Sequence, residues 1–287
     1  MTIASQLPDA QVLVDARACA RVARDLIAPH SPLGVAFSGG VDSATLLALA
    51  VDQLGSENVV AILGVSPSLA RDERERAHKT AAETGARIVE IETFEGQSED
   101  YRANGPDRCF HCRDELFTRI SDELVADLGL QAVAYGENAD DALRPDRPGS
   151  QAAKNHRVLR PMADAGMTKA MVRAIARDYG LSVADKPAAP CLASRIPHFE
   201  EVTAEKLAQI DAAESGLRGL GFADCRVRHH GDIARVEVPR EDILRAAKLH
   251  SDIHGICRSA GFKFAALDLS GIQSGAFTLP LVSVNGS

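Results

Sequence analysis

One segment constrains the fold more than any other. Leu33 to Phe37 is a short apolar run, Ser38-Gly39-Gly40-Val41-Asp42-Ser43 follows it, and Ala44 to Leu54 carries the apolar spacing of a helix. A buried strand that passes through glycines into a helix makes a phosphate cradle. Glycine lets the backbone approach a ligand, and the helix start offers unpaired N–H groups and the positive end of a dipole. Ser38 and Ser43 add hydroxyl donors. Asp42 would repel a phosphate directly, so it works through Mg²⁺ or by fixing the loop. A glycine-rich tight turn before a capped helix is the plainer alternative. The loop has no Gly-Lys-Ser/Thr and no Gly-x-Gly-x-x-Gly spacing, so it is neither a Walker loop nor a dinucleotide fingerprint.

The flanking sequence extends this unit into an alternating series. Helical spacing runs over Val12 to Ile27, Arg71 to Thr84, Asp114 to Leu128 and Lys169 to Tyr179, the last three stopped by Gly85, Gly129 and Gly180. Short apolar runs at Val59 to Val65, Arg87 to Ile91, Gln131 to Tyr135 and Val158-Leu159 read as further strands. Strands alternating with helices predict an α/β fold, a parallel sheet with helices on both faces. Its binding rim lies at the carboxyl ends of the strands, and the loop after Val65 and the cysteine loop before Asp114 belong to that rim. An adenine could sit on Gly64 to Ser68, although a plain strand-to-helix turn fits that position equally well. The rhythm changes after Leu181. A Pro-rich connector, a helix from Ala204 to Leu220, two strands around His230-Gly231-Asp232, a helix over Glu241 to Ala260 and a last strand at Lys263 to Leu267 predict a smaller α+β domain. The expected boundaries are 1–183 for the first domain, 184–202 for the connector and 203–287 for the second domain, with a weakly structured tail from Ser270.

Composition narrows the function classes. The 287 residues are 45% hydrophobic and 25% charged, enough for a sizeable core, and no apolar run is long enough to cross a membrane. Met1 to Ala10 lacks the pattern of a signal peptide, which points to the cytoplasm. A net charge of -8 argues against wrapping nucleic acid and favours a small-molecule partner.

Six cysteines in such a chain suggest metal binding or catalysis rather than disulfides. Cys109-Phe110-His111-Cys112 could grip a metal or cluster, or cycle as a dithiol. No second Cys-x-x-Cys completes a zinc site. Cys191 lies on the connector beside Lys186 and Arg195, cations that would lower its thiol pKa and sharpen it as a nucleophile or ligand. Three thiolates would leave one iron of a [4Fe–4S] cluster open. Cys19, Cys225 and Cys257 sit in periodic apolar stretches and read as core residues.

Arg226-Val227-Arg228-His229-His230 alternates, so Arg226, Arg228 and His230 share one face of a strand. Paired arginines suit carboxylate or phosphate recognition. A strand face held by salt bridges, with Glu237 as a partner, is the structural alternative. His229 faces the other way and is expected to be packed.

The loop Ser38 to Ser43 resembles the PP-loop of N-type ATP pyrophosphatases. Together with Asn104 to Leu116, Gly136-Glu137-Asn138-Ala139-Asp140-Asp141, Asp185 to Pro197, Glu214 to His230 and Gly261 to Gly275, it resembles the LarE family over nearly the whole chain. This resemblance implies an adenine-nucleotide alpha-hydrolase-like fold and a PP-loop that holds ATP with Mg²⁺ through Ser38, Gly39, Gly40, Asp42 and Ser43. It implies adenylation of a carboxylate of pyridinium-3,5-biscarboxylic acid mononucleotide, followed by sulfur transfer to give a thiocarboxylate. Cys191 and Glu214 match the catalytic positions. Arg195, Arg226 and Arg228 are the expected substrate contacts, Arg226 and Arg228 matching the family's phosphate arginines. Sulfur comes either from Cys191 itself or from a cluster held by Cys109, Cys112 and Cys191, and the ligand count favours the cluster. A homo-oligomer is expected. Thiolation of tRNA, ATP-dependent amidation and a non-catalytic nucleotide sensor are the competing functions.

Overall fold

Short runs rich in Val, Ile, Leu and Ala, buried on both faces, favour parallel strands with helical crossovers. The structure, a computed structural model that describes residues 9–143, 148–187 and 189–273, follows this pattern. In chain order it runs α1 (Asp9–Ile27), β1 (Leu33–Ala36), α2 (Val41–Leu54), β2 (Val59–Val65), α3 (Arg71–Thr84), β3 (Arg87–Glu92), α4 (Glu99–Arg102) and α5 (Arg108–Arg119). There follow β4 (Ala132–Tyr135), α6 (Ala139–Ala142), α7 (Pro148–Asn155), α8 (Pro161–Asp164), α9 (Lys169–Asp178) and α10 (Ala204–Gly219). The last elements are β5 (Arg226–His230), β6 (Ile233–Glu237), α11 (Ile243–Lys248), α12 (His250–Ser259) and β7 (Phe264–Leu267). Met1, Ala188, Gly275 and the tail beyond Gln273 lie outside the described residues.

The chain forms two compact units: Met1–Val65, Glu73–Thr93 and Cys109–Ala189 in the first, Ser66–Asp72, Phe94–Arg108 and Pro190–Ser287 in the second. The expected connector 184–202 is therefore divided, and Cys191 falls in the second unit. Two loops of the first half of the chain, 66–72 and 94–108, also cluster there.

The first unit is an α/β layer structure with a four-stranded sheet in the order β3-β2-β1-β4, parallel throughout. Val35 pairs with Ala61 on one side and Ala134 on the other, so β1 is central. Leu46, Leu47 and Leu49 of α2 are fully buried, and α2 packs on β1, β2, α1 and α9. Phe117, Ile120 and Ala152 form another cluster with Val60, Ile62 and Ile91, which brings α5 and α7 onto the sheet. Each fully buried Leu or Ile contributes about 1.5–3 kcal/mol, so this layer carries much of the unit's stability.

Two expectations are corrected here. Val158-Leu159 is not a fifth strand: Leu159 makes one isolated bridge to Ala134. Arg157 just before it has a left-handed φ of 55° and Pro161 starts α8 just after it, which leaves no length for a ladder. Cys109 and Cys112 are not on a loop, because α5 begins at Arg108 rather than near Asp114. The helix then widens into a π-turn at Ile120–Leu124, where the Val125 N–H bonds the Ile120 carbonyl at 3.1 Å.

The second unit is α+β. β5 and β6 form an antiparallel hairpin around Gly231, whose φ is +59°, and β7 pairs with β6 in parallel. Leu217, Phe222, Val227, Val236, Cys257 and Phe262 fill its core. The single helix expected over Glu241 to Ala260 is broken. Leu249 leaves helical geometry, with ψ 22°, and packs on this core between α11 and α12. Among the described residues no helix is long and apolar enough to cross a membrane.

Candidate active site

In the first unit the loop between β1 and α2 closes on itself through Ser43. The Ser43 hydroxyl donates to the Gly40 carbonyl at 3.1 Å and accepts from the Ser38 N–H at 3.3 Å. The Ala44 N–H to Gly40 carbonyl contact, 2.9 Å, is the first of the helix, so the N–H groups before it have no helical acceptor. Gly39 has φ +70°, and a Cβ there would fall 2.9 Å from the Ala77 backbone, so only glycine fits. These features suit Ser38, Gly39, Gly40 and Ser43 to a bound phosphate chain.

Asp42 is held from two sides. Its Oδ1 accepts from Asn138 Nδ2 at 3.1 Å, and its Oδ2 accepts from the Lys169 ammonium. Asn138, fully buried, also caps α6 by accepting from the Asp141 N–H at 3.0 Å. Asp140 in turn accepts from the Lys169 N–H at 2.7 Å. The turn after β4 thus binds α9 to the phosphate loop. Gly136 makes this approach possible: a Cβ on it would lie 2.6 Å from the Ser43 nitrogen. Both partners of Asp42 are absent from the sequence-derived site. An Asn three residues before an Asp at a helix start is a cap signal that marks Asn138, whereas Lys169 leaves no local mark.

Beside this turn the buried Glu137 accepts from the Ser150 hydroxyl and pairs with Arg160 at 3.5 Å. Burial, reinforced by the Glu137 carboxylate, pushes the Tyr135 hydroxyl well above its usual range. Arg113 lies over the Tyr135 ring, 5.6 Å from its centre. Cys109 is exposed and Cys112 half-buried; one helical turn apart, they share a face of α5.

In the second unit Cys191 is exposed and leads into a 3₁₀ turn over Leu192–Arg195. The buried Arg195 donates to the carbonyls of Pro190 at 2.8 Å and Cys191 at 3.4 Å. Its other nitrogens make a bidentate pair with Glu214 at 2.9 and 3.2 Å. Burial pushes the Arg195 pKa down, but Glu214, Cys191 and Cys225 outweigh it and raise the value. Glu214 also accepts from the Val227 N–H at 3.0 Å, so its lone pairs serve the fold. Its carboxylate is a strut behind Cys191 rather than a free acid or base.

The arginine strand divides into two roles. Arg228, expected to face a ligand, is instead paired with Glu237 at 3.0 and 2.9 Å, both side chains almost fully buried. It also donates to the Ser194 carbonyl at 3.0 Å. Arg226 forms no ion pair with a carboxylate among the described residues; its Nη1 donates to the Gln273 carbonyl at 3.2 Å. Burial, then repulsion from Arg195 and Arg228, pushes its pKa down. A buried cation repelled by its neighbours is stabilised by an anionic ligand. His229 is packed as expected, 3.0 Å from Gln209 and against Phe262. Cys225 and Cys257 are buried thiols pushed up to about 12 and about 11, which makes them inert; Cys19 is half-buried. Among the described residues no three His, Cys, Asp or Glu side chains gather as metal ligands.

These sites meet known proteins at two levels. The asparagine synthase family matches residues 20–126, the stretch that holds the phosphate loop. An uncharacterized protein of Synechocystis sp. is 42% identical over 243 residues, 84% of this chain and 90% of the relative. Pyridinium-3,5-bisthiocarboxylic acid mononucleotide synthase of Lactiplantibacillus plantarum is 36% identical over 242 residues, 84% of this chain and 87% of that protein. An uncharacterized protein of Methanocaldococcus jannaschii is 25% identical over 237 residues. With a phosphate loop in one unit, a cysteine turn and arginine strand in the other, and this degree of identity over most of both chains, the protein belongs to the LarE family of PP-loop enzymes.

Proposed function

We propose that the protein is an ATP-dependent sulfurtransferase that converts a carboxylate of pyridinium-3,5-biscarboxylic acid mononucleotide into a thiocarboxylate. The observation that carries this reading is Cys191, exposed and fastened through Arg195 to Glu214, in the same unit as Arg226, which has no ion pair among the described residues. An activated acyl group needs a nucleophile, and a phosphate-bearing substrate needs a cation with spare capacity.

The PP-loop family uses ATP with Mg²⁺. In this reading Ser38, Gly39, Gly40 and Ser43 hold the β- and γ-phosphates. Asp42 is the carboxylate of the loop suited to Mg²⁺, and Lys169 neutralises charge there. The substrate carboxylate attacks the α-phosphorus, the α–β phosphoanhydride bond breaks, and pyrophosphate leaves. The Cys191 thiolate then attacks the acyl carbon and AMP leaves, giving a thioester. Loss of the Cys191 α-proton and cleavage of its Cβ–Sγ bond release the thiocarboxylate and leave dehydroalanine. Arg226 bears on the substrate phosphate, and Arg195 and Arg228 support it from their ion pairs with Glu214 and Glu237.

A [4Fe–4S] cluster on Cys109, Cys112 and Cys191 is the other sulfur route. Cys109 and Cys112 belong to the first unit and Cys191 to the second, and no step here is routed through a cluster. The helical spacing of Cys109 and Cys112 keeps a two-thiol role open to test. Cys191→Ser is expected to abolish thiocarboxylate formation while pyrophosphate release continues. Mass spectrometry after one turnover is expected to show a loss of about 34 Da at Cys191, the mass of H₂S removed from a cysteine. Unchanged protein mass, with iron and sulfide required for turnover, would establish the cluster route instead. Full transfer by Cys191→Ser would remove Cys191 from the reaction.

A further inference from the structure

The segment from Asn104 to Leu116 carries two cysteines, but its first residues have no part in the chemistry above. Asn104 is fully buried and adopts a left-handed φ of 56°. Side chains other than glycine seldom accept that conformation, and Asn is among the few that do. A buried residue kept there must be fixed by its surroundings.

Those surroundings are the segment that follows Cys191. Asn104 Nδ2 faces three carbonyl oxygens, of Ile196 at 3.3 Å, Pro197 at 2.7 Å and Glu200 at 3.1 Å, which share its two hydrogens. The Asn104 carbonyl accepts from the Phe199 N–H at 3.2 Å and lies 3.2 Å from His198 Nδ1. Asn104 Oδ1 accepts from Arg108 Nη1, and the same nitrogen donates to the Ala193 carbonyl at 3.1 Å. Arg108 is itself buried. All these residues belong to the second unit.

On its other side the turn is tied by the Leu192 N–H to the Ser68 carbonyl at 3.0 Å. The hydroxyls of Ser66 and Ser68 both donate to the buried Glu95 carboxylate, at 2.5 and 2.9 Å. Cys191 is thus an exposed residue on a backbone gripped from both sides. Flexible turns lose conformational entropy when a nucleophile must be aimed, and a turn already fixed does not.

We propose that Asn104 and Arg108 are positioning residues for Cys191, holding the turn that presents its sulfur. The inference rests on the reading of Cys191 as the sulfur-bearing residue. The charged groups packed about this turn are Arg108, Arg195 paired with Glu214, Arg218 paired with Asp72 and Glu214, Arg226, Arg228 paired with Glu237, and the Glu95 carboxylate behind Ser66 and Ser68.

The test is the rate of Cys191 alkylation by iodoacetamide at neutral pH, read by peptide mass spectrometry on the full chain. Asn104→Gly is the informative variant, because glycine keeps the left-handed turn and deletes only the side-chain grip. Asn104→Gly and Arg108→Ala release the turn and are expected to slow alkylation at neutral pH by about threefold. Arg108→Lys, which keeps a cation and a donor, is expected to remain within about twofold of the wild type. Equal alkylation rates of wild type and Asn104→Gly would overturn the proposal. If Asn104→Gly does not fold, the Arg108 pair decides, and equal behaviour of Arg108→Lys and Arg108→Ala overturns it. Alkylation needs neither ATP nor substrate, so it remains readable if no thiocarboxylate is made.

Discussion

The ammonium group of Lys169 is bonded to the carboxylate of Asp42, which joins the first residue of α9 to the phosphate loop across 127 residues of sequence. Asn138 holds the other oxygen of the same carboxylate. Such a carboxylate is aimed before any ligand arrives. On the proposed function, Lys169 would offset the negative charge of the phosphates held by this loop. Lys169→Met is expected to lower pyrophosphate formation by about 10²-fold, the scale of losing one preorganised electrostatic contact. Steady-state kinetics of pyrophosphate release check it, and a variant within twofold of wild type would show that Lys169 only braces the loop.

Gly136→Ala tests the close approach of the β4 turn to the loop. Its Cβ would stand 2.6 Å from the Ser43 nitrogen and 2.7 Å from the Asp42 carbonyl carbon, all of it backbone that cannot rotate away. The expected cost is about 1–3 kcal/mol, the range for forced overpacking. Displacement of Ser43 should also weaken nucleotide binding. The wild type is expected to gain thermal stability with ATP and Mg²⁺ by mass action, and Gly136→Ala to gain little. Equal ligand-induced shifts would mean that the loop tolerates the extra carbon.

The phosphate loop was legible in the sequence because its signals are local: an apolar run, glycines, then helical spacing over Ala44 to Leu54. The four parallel strands and the hairpin at Gly231 were legible for the same reason. Cys109 and Cys112 were misplaced on a loop because Arg108 to Asp114 is polar and carries little helical periodicity; its helix is set by packing of Phe117 and Ile120 on the sheet. Lys169 and Asn104 were invisible as site residues, since their partners lie far away in sequence. For Arg228 the sequence leaves open a ligand contact or a salt bridge to Glu237, because which arginine takes that partner depends on register. Glu237 sits opposite Arg226 in the ladder, and Arg228 reaches it diagonally.

That diagonal pairing separates two arginines which the sequence treats alike. Arg228→Ala would leave Glu237, fully buried, without its bidentate partner. Breaking such a pair from one side costs roughly 3 kcal/mol or more, so Arg228→Ala is expected to lower stability markedly. Arg226→Ala removes a cation that forms no ion pair among the described residues. It should fold with near wild-type stability and raise the KM for the mononucleotide. Chemical denaturation and substrate titration of both variants check this, and equal destabilisation by the two would contradict it.

Stability in acid should register one surface cluster. The Arg74 guanidinium, bonded to both oxygens of Glu90, and His78 at 2.7 Å together hold the Glu90 carboxyl down at about 2, against an ordinary 4.5. A depressed carboxylate contributes its stability above the unfolded-state value and loses it as pH falls toward the folded-state value. The window therefore runs from about 4.5 down to about 2. Arg74 is 48% exposed, so water and salt screen the pair, and its contribution at neutral pH is about 1 kcal/mol at most. Glu90→Gln is expected to be less stable than wild type at pH 7 by up to this amount. The gap should narrow as pH falls from about 4.5 to about 3, and at high ionic strength. Urea denaturation of both proteins across this range is the measurement. A gap that stays constant into acid would mean that the difference at position 90 does not come from the carboxylate charge.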